Sequence, residues 1–220
     1  MRTDYNEKKE PSLTNFHAHK LYKRADFSSW RHWYNSCFIE NIRLRNDLQF
    51  KIDDFYNKNL KDSFVIGAHI RHPSHIIEQP GLKMPSLEVF KKHIDKQLKI
   101  AKKIQSKIIK IFIATDQDSV ITFFKKYYPK ILITNHDSSR TNESQDSHFN
   151  SLVGKSKNKE GFQILHIIAS NKNLWSKKMA EEVIIDAYIL AKSDVFIHVT
   201  SNIATAVSYM NPNCKMIYCD

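Results

Sequence analysis

The sequence predicts an α/β fold, and two features of the chain support this prediction. Short runs of β-branched and other apolar residues alternate with segments whose apolar residues recur at helical spacing. Strands that are apolar along their whole length are typical of a parallel sheet covered by helices on both faces. The simplest arrangement is a Rossmann-like parallel sheet with an N-terminal helical extension.

The elements follow one another in a regular order. Residues 1–62 form a polar arm and a helical extension from Phe27 to Asn59, and residues 63–220 form the sheet domain. A polar stretch at about 135–172 has no periodicity and is interpreted as a surface insertion. Within the domain we predict strands at Ser63–Ala68, Ile108–Ala114, Ile131–Thr134, Asp194–Val199 and Lys215–Cys219, and helices at Ser86–Ser106, Val120–Tyr127, Met179–Ala191 and Asn202–Met210.

The composition is that of a globular protein. Of 220 residues, 41% are hydrophobic, which is enough to bury a substantial core. No apolar run approaches the roughly 20 residues of a membrane-spanning helix, and the N-terminus has no secretory signal pattern. The three cysteines are odd in number and lack metal-ligand spacing, as expected in a reducing compartment. These features predict a cytoplasmic protein with no transmembrane segment.

The formal net charge of +11 raises the question of a polyanionic partner. Most lysines recur at helical spacing, as in residues 91–107, and this favours a solvated helix face. Because no DNA- or RNA-binding motif is present, we expect no nucleic-acid partner. Peripheral contact with an anionic membrane surface stays open.

Three predicted strands end in polar residues, and the carboxyl ends of parallel strands are where ligands bind in such sheets. These residues are His69, Arg71, His72 and His75 after the first strand, Thr115, Asp116, Gln117 and Asp118 after the second, and His198, Thr200, Ser201 and Asn202 after the strand near residue 195. The set suits an anionic ligand with a polar base. None of the four glycines forms a GxGxxG or Walker loop, so Arg71 and the helix N-terminus after Thr200 would hold phosphate.

Three segments in order resemble the motifs of GDP-fucose-dependent fucosyltransferases of the α1,6 type, which include the nodulation-factor enzymes. They are IGAHIRHPSH (66–75), KIFIATDQDSVITFFKKYYPK (110–130) and EEVIIDAYILAKSDVFIHVTSNIATAVSYMNP (181–212). The resemblance implies one half of a GT-B fold, the donor-binding half. It also implies a metal-independent inverting glycosyltransferase that moves fucose from GDP-fucose to a glycan acceptor, with no cofactor and no metal.

Residue roles follow from the same resemblance. His69 and Asp186 match contacts to the guanine nucleoside, and Arg71 matches the catalytic arginine on the β-phosphate. The turn Thr200–Asn202, including Ser201, matches the rest of the phosphate site, and Asp116 matches the first carboxylate after the second strand. Asp186 is also unusual by itself, because an Asp among Ile and Ala in a helix is costly unless it has a partner.

The first motif departs from the family pattern beyond Arg71. His72 stands where the family has a second arginine, and Pro73-Ser74 replaces a Thr-Asp pair. The loop that meets the sugar, to which we assign His72 and His75, is therefore altered. Two alternatives remain: a catalytically silent GDP-binding module or truncated transferase domain, and a basic surface-binding protein.

Overall fold

The computed structural model describes residues 27–71, 84–104, 107–142 and 177–219. These residues contain the helices α1 (Phe27–Asn41), α2 (Asn46–Asn59), α3 (Leu87–Ile104), α4 (Asp118–Tyr127), α5 (Lys177–Ala191) and α6 (Asn202–Met210), and the strands β1 (Ser63–Ile70), β2 (Ile108–Thr115), β3 (Leu132–Ile133), β4 (Val195–His198) and β5 (Lys215–Tyr218).

The five strands form a single parallel sheet with the order β3-β2-β1-β4-β5. β2 and β3 lie on one side of β1, and β4 and β5 lie on its other side. The direction in which successive strands are added to the sheet therefore reverses between β1 and β4. Such a switch point opens a crevice at the carboxyl ends of the two central strands. The predicted α/β class, the Rossmann-like parallel sheet and the helical N-terminal extension are confirmed.

Each face of the sheet has its own core. Val65 in β1 packs with residues of α2, α5 and α6 on one face, whereas Ile66 and Ala68 pack with α3 and α4 on the other. This alternation is the two-residue period of a strand that is covered on both sides. By the same period His69 belongs to the face covered by α5 and α6.

The first strand is longer than predicted. β1 was expected to end at Ala68, but its ladder continues through His69, which pairs with Ala114, and Ile70, which pairs with Thr115. Both added residues are buried. The imidazole of His69 therefore belongs to the end of the strand and not to the loop that follows it.

The helical extension divides into two helices with different anchors. α1 is fixed by the buried Arg31, whose guanidinium donates hydrogen bonds to the carbonyls of Ser208, Asn211 and Cys214 at the end of α6. α2 instead packs against α5, and it begins after Arg45, whose backbone is extended. Because the two helices pack on different partners, the chain breaks between them.

The start of the predicted insertion is ordered. Residues 135–142 fold against α5 and the loop after β2, whereas the rest of that stretch, residues 143–172, lies outside the described residues. Over the parts of the chain that the structure describes, no helix combines the length and apolar character needed to cross a bilayer.

Candidate functional site

The candidate site lies at the carboxyl ends of β1 and β4. Ser201 Oγ is 3.2 Å from His69 Nδ1, and both residues are buried. The same oxygen accepts a hydrogen bond from the Ala204 N–H at 3.0 Å, so Ser201 is the N-cap of α6. One serine therefore joins the two central strands across the switch point and fixes the start of a helix.

The Ser201 hydroxyl has one proton to donate. When it donates that proton to His69 Nδ1, the imidazole carries its own proton on Nε2 and offers a hydrogen-bond donor there. A neutral imidazole held in this tautomer can donate to an acceptor atom of a polar base. The predicted contact between His69 and a nucleoside is compatible with this arrangement.

Residues suited to an anion stand beside this pair. Arg71 is the first residue after β1 and is partly buried; Thr200 is buried, and Asn202 is exposed at the first position of α6. The first N–H groups of a helix have no partner within the helix and carry its positive dipole end. The switch point therefore brings a guanidinium and a helix N-terminus to one edge of the sheet.

Asp186 is held by the segment after β3. Asn135 Nδ2 donates to Asp186 Oδ1 at 3.2 Å, and the Ser138 hydroxyl lies 3.4 Å from Oδ2. Burial raises the pKa of Asp186 to about 6, although the hydrogen bond from Asn135 and the charge of Arg140 act in the opposite direction. This partly buried helical carboxylate thus has the partners that its apolar neighbours cannot supply.

We call residues 134–141 the β3 turn. Arg140 holds it together: its Nη2 donates to Thr134 Oγ1 at 2.7 Å and to the Asn135 carbonyl at 2.5 Å. A second acidic residue of α5, the buried Glu182, accepts a hydrogen bond from the Ser139 N–H at 2.8 Å. Two carboxylates one helical turn apart therefore fix the turn to α5.

The other end of the β3 turn reaches Asp116. Thr141 donates to the Asp116 carbonyl through its N–H at 2.8 Å and through its hydroxyl at 3.0 Å, and its own carbonyl accepts from the Asp118 N–H. Asp116 and Asp118 are exposed, whereas Gln117 is buried at the N-cap of α4. Among the residues described, no three His, Cys, Asp or Glu side chains are grouped to hold a metal ion.

His198 belongs to the core instead of the ligand edge. Its ring is buried, stacks on Phe196 at 5.1 Å and meets Tyr218 edge to face. Its Nδ1 lies 3.0 Å from the Val199 carbonyl, which accepts the proton. Burial lowers the pKa of His198 to about 4, so the ring is neutral at pH 7.

The predicted residues thus fall into two groups. The first group lies at the carboxyl ends of β1 and β4, where His69 contacts Ser201; it comprises His69, Arg71, Thr200, Ser201 and Asn202. The second group, Asp116 and Asp186, is joined through the β3 turn. His72 and His75 lie outside the described residues.

The sequence pattern did not predict the β3 turn or its two anchors, Arg140 and Glu182. One signal was available: Glu182 and Asp186 lie four residues apart on a largely apolar helix. Two acids on one side of such a helix require partners from elsewhere in the chain.

A family model for Nodulation protein Z (NodZ) matches residues 24–161, more than half of the chain. The chain belongs to the NodZ family. The matched region contains His69, Arg71 and Asp116, and it ends before α5, so Asp186 and Ser201 lie beyond it. No curated protein sequence matches the chain.

Solved structures similar to this NodZ family member are distant in sequence. NodZ α1,6-fucosyltransferase soaked with GDP-fucose is 18% identical with a TM-score of 0.45, over 79% of this chain and 45% of that one. NodZ from Bradyrhizobium is 17% identical with a TM-score of 0.46, over 83% and 47%. POFUT1 in complex with GDP-fucose is 9% identical with a TM-score of 0.49, over 89% and 51%. The chain spans about half the length of these structures.

Proposed function

We propose that this chain is the donor-binding half of a fucosyltransferase, which binds GDP-fucose and passes fucose to a glycan acceptor. The observation that carries the proposal is the NodZ family match over residues 24–161, which contains the strand-end residues His69, Arg71 and Asp116. One of the NodZ structures named above was soaked with GDP-fucose, and the POFUT1 structure is a complex with GDP-fucose. The cytoplasmic location stays a prediction.

The nucleoside side of the site is assigned to His69 and Asp186. His69 is buried and oriented by Ser201, so it can present a fixed donor to the base. Asp186 keeps acceptor capacity, because a carboxylate has about four lone-pair positions, and Asn135 and Ser138 occupy only part of them. By the strand period His69 shares a face of the sheet with Val65, and Asp186 belongs to α5, which covers that face.

The phosphate side is assigned to Arg71 and the start of α6. When the bond to fucose breaks, negative charge grows on the β-phosphate of GDP. A fixed guanidinium and helix-end N–H groups stabilise that charge in the transition state, with no requirement for a metal ion. Loss of such a donor costs about 3 kcal/mol of barrier. An inverting transfer, in which the acceptor attacks directly, uses this stabilisation in a single step.

A catalytically silent GDP-binding module is the second candidate. One observation favours it: His72 stands in place of the second arginine of the motif. This candidate binds GDP at the same residues but transfers no fucose.

The first test is isothermal titration of the full chain with GDP and with GDP-fucose in the presence of a chelator. We expect binding of both ligands and a loss of at least about tenfold in affinity for Arg71→Ala, the scale of one charge-assisted contact. Arg43→Ala is the matched control, because Arg43 is an exposed arginine whose guanidinium donates to the neighbouring carbonyls of Ile39 and Ile42. The control should bind like the wild type.

The outcomes separate the candidates. GDP binding together with fucose transfer to a glycan acceptor supports the transferase. GDP binding without turnover, measured as GDP release in the presence of acceptor glycans, supports the silent module. Absence of heat with either ligand, or an equal loss in Arg71→Ala and Arg43→Ala, would rule out the donor site itself.

A further inference from the structure

A second surface of the molecule combines exposed isoleucines with positive charge. It lies at the amino edge of the sheet, is formed by the last turns of α3 and the start of β2, and is called the Lys–Ile patch. Its members are Lys99, Ile100, Lys102, Lys103, Ile104, Lys107 and Ile108. Ile104 is 67% exposed and Ile108 is 69% exposed, although isoleucine is one of the most apolar residue types and is usually buried.

The segment of the chain that carries these isoleucines has charge of one sign. The chain contains six lysines and no acidic residue from Lys96 to Lys110. Exposed lysines elsewhere form ion pairs, as Lys58 does with Asp54 and Lys178 does with Glu182. In the described part of the chain, no such pair involves Lys102, Lys103 or Lys107.

We propose that the Lys–Ile patch docks on an anionic lipid bilayer. Ile104 and Ile108 enter the headgroup region, and the surrounding lysines contact lipid phosphates. Apolar side chains flanked by lysines are the combination that holds a protein at a charged bilayer surface, because burial and electrostatic attraction act together. The lysine stems also cover apolar surface while their ammonium groups stay in water.

The composition of the patch favours lipid over nucleic acid. Residues 96–110 contain no arginine and no aromatic residue, which are the side chains that bind phosphate through two hydrogen bonds and stack on bases. Lysine can bind the mobile phosphates of lipid headgroups as well as arginine does, because it acts as a point charge without a required geometry. Exposed isoleucines have no role in a phosphate-backbone contact.

The patch and the candidate donor site lie at opposite edges of the sheet. Ile108 begins β2 and pairs with Ser63 at the start of β1, whereas His69 lies near the carboxyl end of β1. Asp62 precedes Ser63 and is therefore an acidic residue at the same edge of the sheet as the patch. A chain docked through the patch keeps its carboxyl edge away from the bilayer, so lipid binding and GDP binding are independent.

The test is flotation of the full chain with vesicles of phosphatidylcholine alone and of phosphatidylcholine mixed with phosphatidylglycerol. We expect binding to the anionic vesicles only, with an affinity that falls as salt is raised. Lys102→Gln/Lys103→Gln should lower the partition coefficient by about tenfold or more, since each lysine near an anionic surface contributes several-fold. Ile104→Ser/Ile108→Ser should lower it similarly but leave the salt dependence unchanged.

Two control variants carry the same substitutions on another face. Lys51→Gln/Lys58→Gln changes two exposed lysines of α2, and Ile39→Ser/Ile42→Ser changes two exposed isoleucines at the end of α1. Both controls should float like the wild type. Circular dichroism checks that every variant is folded, which is expected because all eight positions are exposed.

Three results would overturn the proposal. The first is equal flotation with neutral and anionic vesicles. The second is a loss in the control variants as large as in the patch variants. The third is salt-sensitive binding to a DNA duplex that Ile104→Ser/Ile108→Ser leaves intact in the absence of vesicle binding, because this would identify a nucleic-acid surface.

Discussion

Ser201 Oγ makes two hydrogen-bond contacts at once, with His69 Nδ1 at 3.2 Å and with the Ala204 N–H at 3.0 Å. The first contact orients an imidazole at the end of β1, and the second starts α6. A single oxygen therefore couples the geometry of the candidate base contact to the helix N-terminus that is assigned to phosphate. Substitutions at this position can separate the two roles.

Ser201→Gly should keep the helix cap and lose the contact with His69. Glycine is accepted at an N-cap at a cost of a few tenths of a kcal/mol, whereas alanine costs about 1 kcal/mol. Both Ser201→Gly and Ser201→Ala remove the contact with the buried His69, so we expect Ser201→Gly to lose less stability in urea than Ser201→Ala and to bind GDP about tenfold more weakly than the wild type, on the scale of one lost hydrogen bond. Ser201→Ala should lose both stability and affinity.

Urea titration and GDP calorimetry on the two variants distinguish these effects. Ser201→Thr is the conservative control, because it retains a hydroxyl for the His69 contact. Wild-type affinity in Ser201→Gly would show that the hydrogen bond to His69 plays no part in donor binding.

Arg140 should be required for the β3 turn. Its guanidinium joins Thr134 Oγ1 to the Asn135 carbonyl, and Asn135 in turn holds Asp186. Arg140→Ala removes these bonds, so we expect a loss of about 1–3 kcal/mol in the free energy of unfolding, since buried groups are left without partners. GDP affinity should fall as well, because Asp186 loses its fixed position.

Arg140→Lys should rescue the turn only in part, because an ammonium group lacks the planar fork of donors. Arg45→Ala is the control: Arg45 is exposed and pairs with Asp47 and Glu181 at the surface, where ion pairs contribute little. Urea unfolding and GDP titration check both effects. Equal stability of Arg140→Ala and Arg45→Ala would contradict the assigned role of the turn.

Asp186 should make the stability of the protein fall as pH rises from about 4 to 6. Its pKa is about 6 in the folded chain, against a reference value of 3.8, so the folded state binds more protons in this window. Above pH 6 the full cost of the buried charge applies, on the order of 3 kcal/mol. Asp186→Asn removes this cost and should stabilise the chain at pH 7 and not at pH 4.

The comparison between wild type and Asp186→Asn must be made at each pH, because His198 acts in the opposite direction. Its pKa of about 4 lies below the ordinary histidine value, so the folded state loses stability as pH falls from 6.5 towards 4. Subtracting the two unfolding curves cancels this contribution. A difference that is the same at pH 4.5 and pH 7.5 would refute the prediction for Asp186. The same variant should lose GDP affinity if its carboxylate contacts the base.

The order of strands and helices was predictable because each element carries its own pattern. α6 begins and ends as predicted, since Ser201 is a local capping signal that is visible in the sequence. β1 was predicted two residues short, because His69 breaks its apolar run. The hydrogen bond between Ser201 and His69 that makes this burial tolerable joins residues 132 positions apart.

The β3 turn was not predictable for the same physical reason. Asn135 and Ser139 are polar and have no period, so the local pattern indicates a loop. Their order comes from Asp186 and Glu182, which follow 51 and 43 residues later in the chain. A pairing at such separation leaves only an indirect trace in the sequence, namely two acids on a mostly apolar helix.

Gly67 should not tolerate alanine, although it lies in a strand where alanine is usually accepted. A Cβ at this position would stand 2.5 Å from Ser193 Oγ and 3.1 Å from Leu190 Cδ2, on the side of the sheet that α5 covers. Overpacking of this kind costs about 1–3 kcal/mol. We therefore expect Gly67→Ala to lower the urea midpoint, while the slope of the transition stays unchanged.

Ser193→Ala should relieve that cost in the double variant. Its hydroxyl is buried and, within the described parts of the chain, has no hydrogen-bond partner, so the single substitution should be close to neutral. Removing Oγ eliminates the closest approach to the new Cβ, and a double-mutant cycle should show a coupling of about 1 kcal/mol in favour of the pair. If the effects of the two substitutions are additive, β1 shifts to accommodate the new Cβ instead of pressing on α5. The close contact between Gly67 and Ser193 would then play no part in holding α5 on the sheet.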